Sequence, residues 1–237
     1  RFGEQLLLIV VEVDLDDRDE LMRALLAHCG EDMIRTVTNL CRIESRLFRQ
    51  QEGFEELRKK AFTDSLTNVL NRQGFTVLGN RRLHEAAHAG TNVCCMMIDL
   101  DGFKAINDTH GHRAGDIVLR DVGRLLRRSV RKRDVIGRIG GDEFAVMVTD
   151  INAEEAERCA HVITQSLNGQ LISIGDETVE LRISLGAAFI ERPTPMLCIE
   201  PLLEVADQLM YQCKRDDQIS VEFRQVGTEP VFSPEMA

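Results

Sequence analysis

The chain has 237 residues, 43% hydrophobic and 29% charged, with a net charge of −10 at neutral pH. These values describe a soluble globular protein with core enough to fold without disulfide or metal staples. The acidic balance argues against general binding to nucleic acid or to anionic membranes, but not against a nucleotide whose charge a divalent cation offsets. Seven cysteines without a CxxC pair, two of them adjacent at Cys94-Cys95 in an apolar run, indicate reduced and mostly buried thiols in a cytoplasmic protein. They argue against cysteine-held metal and against a cysteine nucleophile. No apolar run approaches the ~18 residues of a membrane span, Leu6–Val11 is too short, and no signal peptide is visible. The chain opens on Arg1 rather than Met, as a fragment would, which leaves an upstream anchor or sensor open.

Residues 5–13 read as a buried strand, and residues 1–18 together as the end of an upstream sensory domain. The acidic loop Asp14–Asp19 supplies N-cap residues. From about Asp19 to Thr63 no proline occurs. Apolar residues recur there in steps of mostly three or four, from Met22 through Leu26, Val37 and Leu47 to Ala61, with one gap at Gln50-Gln51. This predicts a long helix with a heptad-like seam and one stutter. A helix packed on its own domain is the alternative. The length and the charged outer faces favour a dimerising coiled coil.

A compact α/β pattern follows over 64–226. Helices are expected at Asn71–Ala89, Ala114–Val130, Ala153–Asn168 and Ile199–Lys214. Strands are expected at Asn92–Leu100, Val135–Ile139, Phe144–Thr149, Val179–Ile190 and Ile219–Gln225. Helices interleaved with a hairpin and separated strands predict a mixed central sheet flanked by helices, of the α/β (α+β) class. Residues 227–237, with two prolines, read as a flexible tail.

The hairpin between the second and third of those strands carries Arg138-Ile-Gly-Gly-Asp-Glu-Phe144. Two glycines at the bend allow φ > 0 and let a large ligand approach the main chain. The carboxylates of Asp142 and Glu143 follow directly, and Asp99 ends the preceding strand. If strand and hairpin are neighbours, the three converge on one edge and favour a hard cation, Mg²⁺ or Mn²⁺, with substrate phosphates. Asp101-Gly-Phe-Lys104 then starts a short helical turn, whose free N–H groups could cradle a phosphate with Lys104 nearby. Further on, Asn107 and Asp116 supply an amide and a carboxylate able to read the two edges of guanine.

Taken with Asp64-Ser-Leu-Thr-Asn-Val-Leu-Asn-Arg72, Asp99–Asp108, Gly111–Asp116, Ile183-Ser-Leu-Gly186 and Ala206–Lys214, the chain from about Ala61 to Gln225 resembles the GGDEF family of diguanylate cyclases. The resemblance implies a nucleotidyl-cyclase or palm-like domain. It implies condensation of two GTP into cyclic di-GMP and two pyrophosphates across a homodimer, one GTP per subunit. It assigns Asp99, Asp142, Glu143 and the Leu100 carbonyl to the metal. Glu143 is an additional ligand or helps deprotonate the attacking hydroxyl. Asn107 and Asp116 would hold guanine, Lys104 and Lys214 would contact phosphates, Phe103 would line the substrate site, and Gly140 and Gly141 would leave room for the nucleotide. It further implies a product-inhibition site at Arg131 and Asp134, with Arg138 assisting. For an arbitrary protein, Arg127–Arg133 would be no more than a basic helix C-terminus.

Three departures weaken the match. Asn68 stands where the family has Gly, in a place where Asn tolerates left-handed geometry. Asp217 replaces a Gly, and Gln218 replaces an Arg able to help bind phosphate. An added carboxylate near a triphosphate predicts weaker GTP binding, unless it faces away or Arg215 compensates. The alternative function is therefore a weakly active or inactive domain that binds GTP or cyclic di-GMP and signals to a partner. A general nucleotidyl cyclase or polymerase-like palm shares the metal chemistry, but the pair Asn107 and Asp116 argues against it. His84 and His88, one helical turn apart, lack a third ligand and read as an exposed face. His110 and His112 read as capping or packing residues, and Cys94–Met97 as sheet core.

Overall fold

The computed structural model describes residues 60–215 and 220–227. The chain divides between Arg58 and Lys59 into two units, and the described residues belong to the second. The strand expected over 5–13, the long helix over 19–63 apart from its end, Asp217, Gln218, and the tail after Gly227 lie outside the described residues. Residues 60–62 are helical.

Local signals start and stop the elements. The Asn71 side chain accepts a 2.8 Å hydrogen bond from the Gly74 amide and caps helix α1, Arg72–Ala89, which ends at Gly90 with φ 65°. A reciprocal pair, Asn152 with Glu155, opens helix α4, Ala153–Leu167. Helices α2 (Phe103–His110) and α3 (His112–Ser129) meet at Gly111, and helix α5 spans Ile199–Arg215. The helical turn expected to start at Asp101–Lys104 opens a full helix from Phe103. Asn68 adopts φ 57°, the left-handed geometry its side chain tolerates.

Among the described residues, eight strands form two sheets. The main sheet runs in the order β1 (Leu70–Asn71), β3 (Val135–Arg138), β4 (Glu143–Thr149), β2 (Val93–Leu100), β7 (Ile183–Ile190), β8 (Val221–Val226). The outer pairs β1–β3 and β7–β8 are parallel and the inner ones antiparallel, so the sheet is mixed, as expected. The single strand expected over Val179–Ile190 is two. Glu177–Glu180 (β6) pairs with Leu171–Ile174 (β5) in a separate hairpin turning at Gly175, φ 69°. That hairpin is mostly exposed, and each of its strands is only four residues long, so the short apolar row of Ile172, Ile174 and Val179 does not stand out as a strand signal or mark the break.

Central strand β2 is buried along its whole length, and its side chains alternate between two cores. Cys94, Met96, Ile98 and Leu100 pack with α3 and α4. Val93, Cys95 and Met97 pack with Phe75 and Leu83 of α1 and Ile199, Leu202 and Met210 of α5. Cys94 and Cys95 are core residues, and burial pushes the Cys95 thiol up to about 12. The five cysteines among the described residues are free. No helix among the described residues is long and apolar enough to cross a membrane.

Candidate active site

The alternation that builds the two cores also aims the acidic residues. Asp99 continues the Val93, Cys95, Met97 row and so faces the α1 and α5 layer. Glu143 stands directly opposite Asp99 in the β2–β4 register and continues the Ala145, Met147 row on the same face. Asp142 precedes it in the turn. Two strands far apart in sequence thus bring the three expected carboxylates to one end of the sheet.

Asp99 is 5% exposed. Its Oδ1 lies 2.6 Å from the Lys214 Nζ, in the last turn of α5. The contact is an ion pair, and Oδ1 has no aligned hydrogen bond. Burial holds the Asp99 carboxyl above its ordinary range against the pull of Lys214, and the neighbouring charges of Asp142 and Glu143 push the same way as burial. An under-coordinated buried carboxylate with two acidic neighbours is a donor set suited to a hard divalent cation. Among the described residues, no three such side chains are already gathered as a metal site. Lys214 sits on Asp99, and the Glu143 carboxylate folds over Gly140.

The glycines differ from expectation in one respect. Neither Gly140 nor Gly141 has positive φ. Gly140 leaves room for the Glu143 carboxylate where it lies, since a Cβ there would overlap it, while Gly141 faces open space. The turn is held from below. Arg138 donates to the Gly141 carbonyl through Nε at 3.1 Å and Nη2 at 2.6 Å, and Nη1 reaches the Asp64 carboxylate at 3.3 Å. Burial alone would raise the Asp64 carboxyl. The Thr67 hydroxyl and amide, then Arg138, outweigh it and hold the group below the usual range. This Asp64–Arg138 brace has no local sequence signal.

Beside the carboxylates, Gly102 at φ 71° opens α2 with no side-chain cap, so the first N–H groups around Phe103 and Lys104 are free of a capping side chain. Asn107 packs against Gly115, next to Asp116, where any side chain at Gly115 would strike its amide; the Phe103 ring tip closes the same spot. Asp116 is half-exposed, with Arg120 at the edge of ion-pair range, 4.0 Å away. Asp101 accepts a 2.9 Å hydrogen bond from the hydroxyl of Ser184, the β7 residue paired with Asp99.

Arg131 and Asp134 lie elsewhere, in the turn from α3 to β3. The Asp134 carboxylate accepts from the Arg131 amide at 2.8 Å. Both line a cavity of about 480 Å³ that α4 completes with Arg158 and Cys159. Arg138 does not line it. The guanidinium expected to assist there is committed to Gly141 and Asp64. Arg158 has no motif around it and reaches the cavity only through the packing of α4. The His88 ring bonds to the His84 carbonyl at 2.9 Å on an exposed face. His110 pairs with Glu177 of the small hairpin at 2.9 Å rather than capping a helix.

A family model described as the GGDEF domain of diguanylate cyclases matches residues 61–219. The chain belongs to the GGDEF diguanylate cyclase family. Diguanylate cyclase DosC of Escherichia coli K12 is 35% identical over 174 residues, covering 73% of this chain and 37% of that protein. The response regulator PleD of Caulobacter vibrioides is 31% identical over 226 residues, covering 90% and 49%. The chain therefore spans roughly a third to a half of the length of these curated relatives. The coiled coil and GGDEF domain of DgcB from Caulobacter crescentus, solved in complex with c-di-GMP, superposes with a TM-score of 0.70 at 28% identity, over 79% of this chain and 98% of that one. The mixed sheet flanked by helices is the fold of this family.

Proposed function

We propose that this GGDEF domain is a diguanylate cyclase, condensing two GTP into cyclic di-GMP and two pyrophosphates as a homodimer. The observation that carries the proposal is the in-register pair Asp99 and Glu143 at the end of the two central strands, beside the open edge at Gly141. Asp99, Asp142, Glu143 and the Leu100 carbonyl would hold Mg²⁺ or Mn²⁺, which supplies charge neutralisation of the phosphates when bound. Asn107 and Asp116 read guanine, with Phe103 closing that pocket. Lys104, the start of α2 and Lys214 contact phosphates. Glu143 accepts the proton of the 3′-hydroxyl, which attacks the α-phosphate of the nucleotide held by the other subunit. Each subunit contributes one nucleotide, and positioning of the two halves is the protein's main work. Arg131 and Asp134 bind the product and restrain turnover, since arginine pairs bidentately with guanine and phosphate. An upstream sensory domain acting through the helix over 19–63 sets the alignment of the halves.

Incubation with GTP and Mg²⁺, followed by separation of the nucleotides, tests the reading. Cyclic di-GMP and pyrophosphate are the expected products. GTP binding without product identifies a binding and signalling module instead.

A further inference from the structure

One contact at the site has the wrong partner for catalysis. A lysine expected on phosphate instead holds the carboxylate expected on metal: Lys214 Nζ is 2.6 Å from Asp99 Oδ1. The two residues arrive from opposite directions, Asp99 from the end of the central strand and Lys214 from the last turn of the helix covering that face. Asp99 is almost fully buried and the Lys214 side chain is 34% exposed, so the lysine is the mobile member of the pair. A buried carboxylate that loses its counter-charge is strongly disfavoured, so Asp99 exchanges partners rather than standing alone. A divalent cation arriving at Asp99 meets an ammonium in its way and must displace it. A cation alone offers the displaced ammonium no new anion. A cation carrying a triphosphate does.

We propose that Lys214 is an exchangeable counter-ion that makes metal and nucleotide bind as a unit: it neutralises Asp99 in the metal-free protein, excludes the free cation, and passes to the incoming phosphates when the metal–nucleotide complex takes its place. Lys214 is then a positioning residue as well as a phosphate contact. Metal affinity rises when nucleotide is present, and by linkage nucleotide affinity rises with metal by the same factor. The site discriminates against free cation without any change in its ligand set. The inference rests on the reading of Asp99 as a metal ligand given above.

The test is equilibrium binding to the full chain of Mn²⁺ alone and of Mn²⁺ with GTP bearing a methylene in place of its α,β-bridging oxygen, which cannot react. Lys214→Met is expected to bind Mn²⁺ alone about tenfold more tightly and the Mn²⁺–analogue complex about tenfold more weakly than the unmodified chain. Opposite signs are the signature. A lysine that only binds phosphate leaves Mn²⁺ alone unchanged, and a variant that misfolds weakens both; either pattern, with Lys214→Arg failing to restore the original pair of affinities, overturns the exchange. Lys104→Met removes an equal charge from the neighbouring helix, and its affinity for Mn²⁺ alone is expected to stay within about threefold, because it has no contact to release. Equal tightening in both lysine variants marks a general field effect and also overturns the exchange. If the unmodified chain binds no Mn²⁺–analogue complex, the metal–nucleotide reading itself fails and the exchange with it.

Discussion

The Gly-Gly turn shows how one residue's size sets another's freedom. Gly140 is not there for a left-handed backbone. It leaves the volume into which the Glu143 carboxylate folds. A methyl at Gly140 meets the Glu143 side chain, most closely its flexible carboxylate end, so the fold tolerates it and the carboxylate moves. Gly140→Ala is therefore expected to lower cyclase turnover by about 10²-fold, the usual effect of a misplacement near 1 Å, with thermal unfolding little changed. Parallel unfolding and product assays check it. Asp64 gives the complementary case, a residue whose loss acts on stability. Its carboxyl is depressed in the folded protein, so its contribution is present above the unfolded value near 3.8 and fades as pH falls through the folded one. Asp64→Ala removes two bonds to Thr67 and the Arg138 brace. Urea unfolding at pH 7 is expected to show a loss of roughly 1–3 kcal/mol, with the gap closing at the acid end. A gap that persists undiminished to the acid end of the titration would show that the carboxylate charge contributes nothing.

At the scale of elements, helix α5 carries Lys214 to Asp99, and its seat is Gly186 in β7. A Cβ there would strike the Ala206 carbonyl and the Met210 amide, which are backbone and cannot rotate away. Gly186→Ala is expected to cost about 3 kcal/mol, the upper end of ordinary overpacking, and to lower Tm by roughly 6–12 °C. Differential scanning calorimetry reads this directly. The placement of α5 also marks where sequence reading stops. The parity that sets Asp99 and Glu143 on one face follows from strand periodicity and the hairpin, and both are visible in the chain. The approach of Lys214 to Asp99 depends on how a helix lies on a sheet, which no local pattern encodes. Asp64 and Arg138 meet across 74 positions, and Arg158 joins Arg131 only by the packing of α4. The hairpin of β5 and β6 is mostly exposed and its strands are four residues each, too short for their alternation to stand out. The positive φ expected in the Gly-Gly bend was a local inference, and the side chain of Glu143 three residues on is what decides that position.

At the scale of the whole molecule, the site is open on the Gly141 side, where a Cβ would meet nothing. In the proposed reaction each domain supplies the donors for one nucleotide, and two nucleotides are joined. The cavity at Arg131 and Asp134 lies away from the carboxylates, in the turn from α3 to β3, so its occupant would act on the encounter of two domains rather than on substrate. Arg131→Ala is expected to relieve inhibition by added cyclic di-GMP at least tenfold while initial rates in its absence hold, as progress curves would show. Unchanged inhibition would remove that site from the account. The half-site arrangement has a sharper consequence. When two domains must meet, the rate follows the concentration of pairs. Below the dissociation constant of the dimer, the initial rate should scale with the square of protein concentration, and above it linearly. If residues 19–63 pair the subunits as proposed, they raise the effective concentration of the second half and shift that crossover to lower protein. Serial dilution with initial-rate assays, paired with light scattering at the same concentrations, locates the crossover. A rate strictly proportional to protein throughout, from a particle that scatters as a monomer, would mean that one domain completes the chemistry alone and that the open edge at Gly141 has another use.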